Sequence, residues 1–141
     1  MALMIEIGAM TTRGYGVASA HFAQRFHRFI EFCPEIKDCW PATINLLLYL
    51  SVRFKNFNCT TPELDWGSYS ESYEFLNIQF EYPIGAQQQQ AWIIIPSKSR
   101  AYDDAHHAEI VTKFVPNLKV PDKCKVWISN RCVELLPDAR D

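Results

Sequence analysis

The stretch Cys39-Trp40-Pro41-Ala42-Thr43-Ile44-Asn45-Leu46-Leu47-Leu48-Tyr49-Leu50 decides whether this chain is built mainly from helices or from strands. It is apolar enough to be buried in either form. Pro41 lies at its start and the loop Phe57-Asn58-Cys59-Thr60-Thr61-Pro62 follows soon after its end. An apolar run held that closely between Pro and turn residues reads as a strand. We therefore expect one strand over residues 44–54, with Leu46, Leu48 and Leu50 on one face and Leu47, Tyr49 and Ser51 on the other. Thr43 and Asn45, two residues apart at its mouth, then project together.

Working outward, the same period recurs downstream. Leu76, Ile78, Phe80 and Tyr82 alternate with Asn77, Gln79 and Glu81 up to Pro83, the pattern of a half-buried strand. Ala91-Trp92-Ile93-Ile94-Ile95-Pro96 is apolar on both faces, as a central or barrel-wall strand must be. Glu109-Ile110-Val111-Thr112-Lys113-Phe114-Val115 and Lys125-Val126-Trp127-Ile128 read as two more strands. Upstream, residues 3–12 suit a first strand. The pattern then turns helical: Phe22, Phe26, Phe29, Ile30 and Cys33 share one face, with Ser19 placed as N-cap and Pro34 as the stop. Residues 56–72 form a long loop around Asp65-Trp66-Gly67, the four glutamines 87–90 a polar hairpin tip or strand start, and 97–105 a polar loop. About six strands, one helix near the N-terminus and no βαβ rhythm predict a mainly β, closed six-stranded barrel. The helix covers one end, and residues 1–141 form a single domain.

Composition narrows the function classes. At 141 residues, 48% hydrophobic and 13% aromatic, the chain can bury a core without staples. A net charge of -2 offers no electrostatic case for nucleic acid as a partner. No apolar run approaches ~20 residues, so no membrane span is expected. The start Met1-Ala2-Leu3-Met4-Ile5-Glu6 has no cationic segment, which points to the cytoplasm. The cysteines are Cys33, Cys39, Cys59, Cys124 and Cys132. Their odd number and the lack of a Cys-x-x-Cys pair signal neither a disulfide framework nor a zinc site.

Chemistry gathers at three places. Arg13-Gly14-Tyr15-Gly16-Val17-Ala18-Ser19 joins the first strand to the helix, and a Gly-rich turn leading into a helix N-terminus suits an anion such as phosphate. Thr43 and Asn45 supply hard oxygen donors that suit Mg²⁺ carried on a nucleotide phosphate; the same residue types also satisfy backbone groups in turns. Glu109 stands at a strand mouth, either as a base for a hydroxyl or as a solvent-facing carboxylate. Lys98 either neutralises a phosphate or is an exposed lysine. His106 and His107 are adjacent, so on a strand they face opposite ways and cannot serve one site together. Trp66 offers a stacking face, Trp92 reads as core, and His21, Arg25 and Arg28 mark the solvated side of the helix.

In order and spacing these motifs resemble the archaeal-type CTP-dependent riboflavin kinases, which are cradle-loop barrels. Gly14-Tyr15-Gly16-Val17-Ala18 stands at that family's glycine-rich turn and Ala42-Thr43-Ile44-Asn45 at its Gly-Thr-Leu-Asn segment. The likeness extends over roughly residues 5–128. It implies transfer of the terminal phosphate of CTP to a hydroxyl of riboflavin or a related small molecule, assisted by Mg²⁺. Thr43 and Asn45 would be the metal ligands, and the Gly14–Ala18 turn, flanked by Arg13, would wrap the nucleotide phosphates. The 97–107 loop, including Lys98 and His107, would line the nucleotide and substrate pocket. Departures are Ala42 in place of glycine, Arg13 in place of a small residue, and a longer loop after Pro96. A barrel that binds a ligand without catalysis is the alternative.

Overall fold

The computed structural model describes residues 3–13, 18–98 and 105–137, with the backbone alone for residues 18–21. In chain order the elements are β1 (Met4–Thr12), α1 (Ala18–Phe32), a 3₁₀ turn (Pro34–Ile36), β2 (Ile44–Leu48), β3 (Val52–Phe54), β4 (Cys59–Thr60), β5 (Leu64–Asp65), β6 (Ser70–Glu71), β7 (Tyr73–Glu81), β8 (Gln89–Pro96), β9 (His107–Thr112), β10 (Lys123–Ser129) and β11 (Val133–Leu135). Six of them run β10-β1-β2-β9-β8-β7, and β7 returns to β10. Every pairing is antiparallel. The protein is thus mainly β, a closed six-stranded barrel with one α-helix near the N-terminus among the described residues, as its alternation predicted. Closure leaves the barrel without open edges. Among the described residues no helix is long and apolar enough to cross a membrane.

Two cores explain the apolar patterning. Inside the barrel, Ile7, Leu46, Ile78, Phe80, Ile93, Ile110 and Val126 are essentially inaccessible to water. Outside it, α1 lays Phe22, Phe29 and Cys33 against Phe75, Trp92, Ile94 and Val111 of β7, β8 and β9. Strand β8 therefore buries both faces, Ile93 inward and Trp92 and Ile94 beneath the helix, which is why it is continuously apolar.

The expected single strand over residues 44–54 is broken in two. After Leu48 the chain bends, and the Tyr49 N–H donates to the Gly8 carbonyl at 2.9 Å. The Val52 N–H then turns to Ala105, and β3 pairs with β11 instead of continuing in the barrel. Leu50 accordingly ends exposed. Strand β9 also begins earlier than expected, at His107, and stops at Thr112. Helix α1 opens at Ala18, so Ser19 sits in its first turn and not at the N-cap. The 56–72 loop contains the two-residue strands β4, β5 and β6.

One polar side chain is sealed at the barrel's end. Thr11 is fully buried; its hydroxyl donates to the Lys119 carbonyl at 2.6 Å and accepts from the Asp122 N–H at 2.9 Å. These bonds tie the segment before β10 to β1. Thr11→Val keeps the shape but strands a buried donor and a buried acceptor, and should cost about 1–3 kcal/mol in urea unfolding. A loss below about 0.5 kcal/mol, the range of ordinary surface changes, would show that water replaces the hydroxyl there.

Candidate functional site

Strand β2 lies between β1 and β9, and its register fixes what Asn45 faces. Thr12 of β1 is the Cα partner of Asn45, and Asn45 is the Cα partner of Glu109. The neighbours Thr11, Leu46 and Ala108 point inward and are buried, so this transverse row of three lies on the barrel's outer surface. Thr43 and His107, each two residues from a member of the row, join it on the same face.

The polar groups are bonded to one another. His107 Nε2 is 2.9 Å from Asn45 Oδ1, and since an amide oxygen only accepts, Nε2 carries the proton and donates. The Thr43 side chain hydrogen-bonds the Glu109 carboxyl. Glu109 is only 7% exposed, and burial raises its pKa above the usual carboxylate range although the Thr43 bond pulls the other way. A carboxylate perturbed by desolvation, with hydroxyl, amide and imidazole beside it, is the kind of group found at reactive sites. Thr43 and Asn45 present a hydroxyl and an amide oxygen, hard donors that suit a divalent cation such as Mg²⁺, with the Glu109 carboxyl beside them. The Asn45 oxygen keeps one lone pair beyond the one His107 uses.

Beside the row lies a cavity of ≈ 330 Å³. Strands β8 and β9 pair from Ala91–Thr112 to Ile93–Ile110, and beyond that point they part. The opening is walled by Ile94, Ile95 and Pro96 on one side and by His107 and Glu109 on the other, with Phe54 and Phe57 closing it. A cleft with a mixed polar and apolar lining, to which Arg53, His107 and Glu109 contribute, at the small end of the ~300–1,000 Å³ typical of ligand sites, fits a small molecule.

Of the residues expected at the site, the fold brings Thr43, Asn45, His107 and Glu109 together. Arg13 is exposed at the end of β1, directly after Thr12. Gly14, Tyr15, Gly16 and Val17 lie outside the described residues, and Ala18 opens α1. Lys98 is placed differently: its Nζ contacts Glu63 Oε1 and the Ser70 carbonyl, both at 2.8 Å, and its N–H donates to the Glu71 carboxyl. His106, facing the other way as expected, contacts the Leu48 carbonyl through Nδ1. Trp66 is not a free stacking platform: its Nε1 donates to the Tyr73 hydroxyl at 2.9 Å and the Arg25 guanidinium lies 4.3 Å from its ring centre. Arg25 thereby belongs to the helix–loop contact and not to a merely solvated face. Thr12 was missing from the sequence-based set, because only the register places it in the row. Among the described non-glycine residues only Asn56 and Asn117 take positive φ, so Ala42 needs no glycine-like backbone.

No protein-family model matches the chain, and neither does any curated protein.

Proposed function

We propose that this barrel is a Mg²⁺-assisted phosphotransferase, similar to the CTP-dependent riboflavin kinases, that moves the terminal phosphate of a nucleotide to a hydroxyl of riboflavin or a related small molecule. The observation that carries it is the convergence of Thr43, Asn45, His107 and Glu109 on one outer face, at the wall of a small-molecule-sized cavity. Phosphoryl transfer asks mainly for positioning and charge neutralisation, and here the oxygen donors stand beside a buried carboxylate. Mg²⁺ bound there would neutralise charge on the transferring phosphate. Asn45 is held in orientation by His107, and Arg13, at the end of the neighbouring strand, offers a cation to the phosphates. Glu109 takes the proton of the acceptor hydroxyl while its oxygen bonds to the terminal phosphorus and the nucleoside diphosphate departs. A carboxylate raised by burial is better matched to that proton transfer near neutral pH than an exposed one. The cavity between Phe54, Phe57 and Ile95 would take the acceptor's ring. The same cavity also suits a second possibility, a barrel that binds a small molecule without catalysis.

Thermal-shift measurements with CTP, ATP and riboflavin, each with and without Mg²⁺, distinguish these. CTP with Mg²⁺ should raise Tm by several degrees, since a ligand at about 100 times its Kd adds about 2.7 kcal/mol to stability. Thr43→Ala and Asn45→Ala should remove the Mg²⁺-dependent part. If riboflavin shifts the protein and no nucleotide does, the kinase proposal fails and the binding barrel stands.

A further inference from the structure

Among the described residues one group of three metal-ligating side chains lies away from this site. Cys33, Glu35 and Cys59 bring two sulfurs and a carboxylate oxygen within 4.8 Å of one another. Cys33 directly follows α1 and Glu35 lies in the 3₁₀ turn that comes next, while Cys59 comes from β4, beyond β2 and β3 in the chain. The three therefore meet only because β4 pairs with β7 beside the helix, with Cys59 opposite Phe75.

We propose that Cys33, Cys59 and Glu35 form a binding site for a thiophilic divalent cation of the zinc class, which fastens the C-terminus of α1 to β4. Tetrahedral zinc with Zn–S near ~2.3 Å and Zn–O near ~2.0–2.2 Å needs its ligand atoms roughly 3.5–3.8 Å apart. Ligand atoms already within 4.8 Å of one another reach that spacing by small side-chain adjustments, and Glu35 stands at an exposed position. Cys59 is already aimed at the helix end, its thiol donating to the Phe32 carbonyl at 2.8 Å. Cys33 is buried, Cys59 half-buried and Glu35 exposed, so a cation reaches the sulfurs from the Glu35 side while protein covers the far side. Two soft sulfurs select zinc, cobalt or cadmium over Mg²⁺, so this site is chemically separate from the oxygen-lined one. As the two metal–sulfur bonds form, both thiol protons leave for solvent. With three protein ligands the fourth position is open to water.

The test is titration of the reduced 141-residue chain with Co²⁺, followed by near-ultraviolet sulfur-to-cobalt charge transfer and by the visible bands of tetrahedral cobalt. One equivalent should saturate both signals, zinc should displace the cobalt, and about two protons should be released per cation. Cys59→Ser should diminish the charge-transfer band, since only the Cys33 sulfur remains, or weaken binding by more than the roughly 10–100-fold that loss of even an outer partner costs. Glu35→Gln, at an exposed position that leaves the core untouched, should weaken it while keeping the band. Cys132→Ser should change neither. Absence of the band in the wild-type chain overturns the site, as does a band that persists undiminished in Cys59→Ser.

Discussion

Glu109→Gln is expected to slow phosphoryl transfer by about 10²–10⁴-fold, the usual worth of a positioned general base. It should also make the protein more stable at neutral pH. The amide keeps the carboxyl's shape and still accepts from Thr43, so the cleft stays intact. What changes is the charge. Burial raises the native pKa of Glu109 above its unfolded value, so the folded state holds this proton more tightly. Its contribution to stability is fully present below the unfolded pKa and is lost as the pH rises through the raised native one. Above that pH a carboxylate is being kept out of water at a net cost. Glutamine is neutral throughout, so its advantage in Tm should be absent in acid and grow towards neutral pH. Turnover of CTP and riboflavin with Mg²⁺ measures the first effect, and thermal melts across the acid-to-neutral range measure the second. A rate within tenfold of wild type would remove Glu109 as the base. A Tm difference that does not grow with pH would show that its carboxyl is not held neutral by burial.

Phe29→Ala should have the largest effect on stability, about 3–5 kcal/mol in denaturant unfolding. The ring is 2% exposed and sits where helix and barrel wall meet. It stacks on Phe22 at 5.1 Å and meets the edges or faces of Tyr73 at 4.8 Å, Phe75 at 5.8 Å and Trp66 at 6.0 Å. Removing it opens a cavity that four aromatic neighbours and two short elements cannot all collapse to fill. Among the described residues this face carries the buried apolar packing of α1 on the barrel, so the variant should also loosen Trp66, visible as a red shift in its fluorescence. The barrel's interior does not include Phe29 and should persist to higher denaturant than the helix contact. A cost below about 1 kcal/mol would mean that α1 is only lightly docked.

The two expected results depend on different kinds of information. Phe29 was identifiable from the chain alone, since apolar residues at helical spacing announce a buried face whatever they pack against. So were the alternating strands around Ile78, Ile93 and Val126, and with them the barrel. The pairing of Thr43 with Asn45 on one face follows from the same local period of two. Their partners do not. Glu109 as a base and His107 in the pocket were expected, but nothing local set them beside Thr43 and Asn45, and Thr12 did not stand out at all; the register that puts β2 between β1 and β9 does both.

What the sequence determined by itself, then, is each segment's own geometry: which stretches alternate, where the helix lies, and where Pro34 and Pro83 stop them. Periodicity is a property of neighbours in the chain, and burial of one face needs no knowledge of the other side. Only the tertiary structure decided which segments touch. The strand over residues 44–54 breaks because Tyr49 and Val52 find acceptors in Gly8 and Ala105, distant carbonyls that no local pattern encodes. Lys98 is engaged by Glu63 and Ser70, Trp66 is covered by Arg25, and Cys33 meets Cys59, all for the same reason. Strand register and the folding of the 56–72 loop set those contacts through hydrogen bonds between residues far apart in sequence, and the candidate chemistry of this protein lies entirely in such contacts.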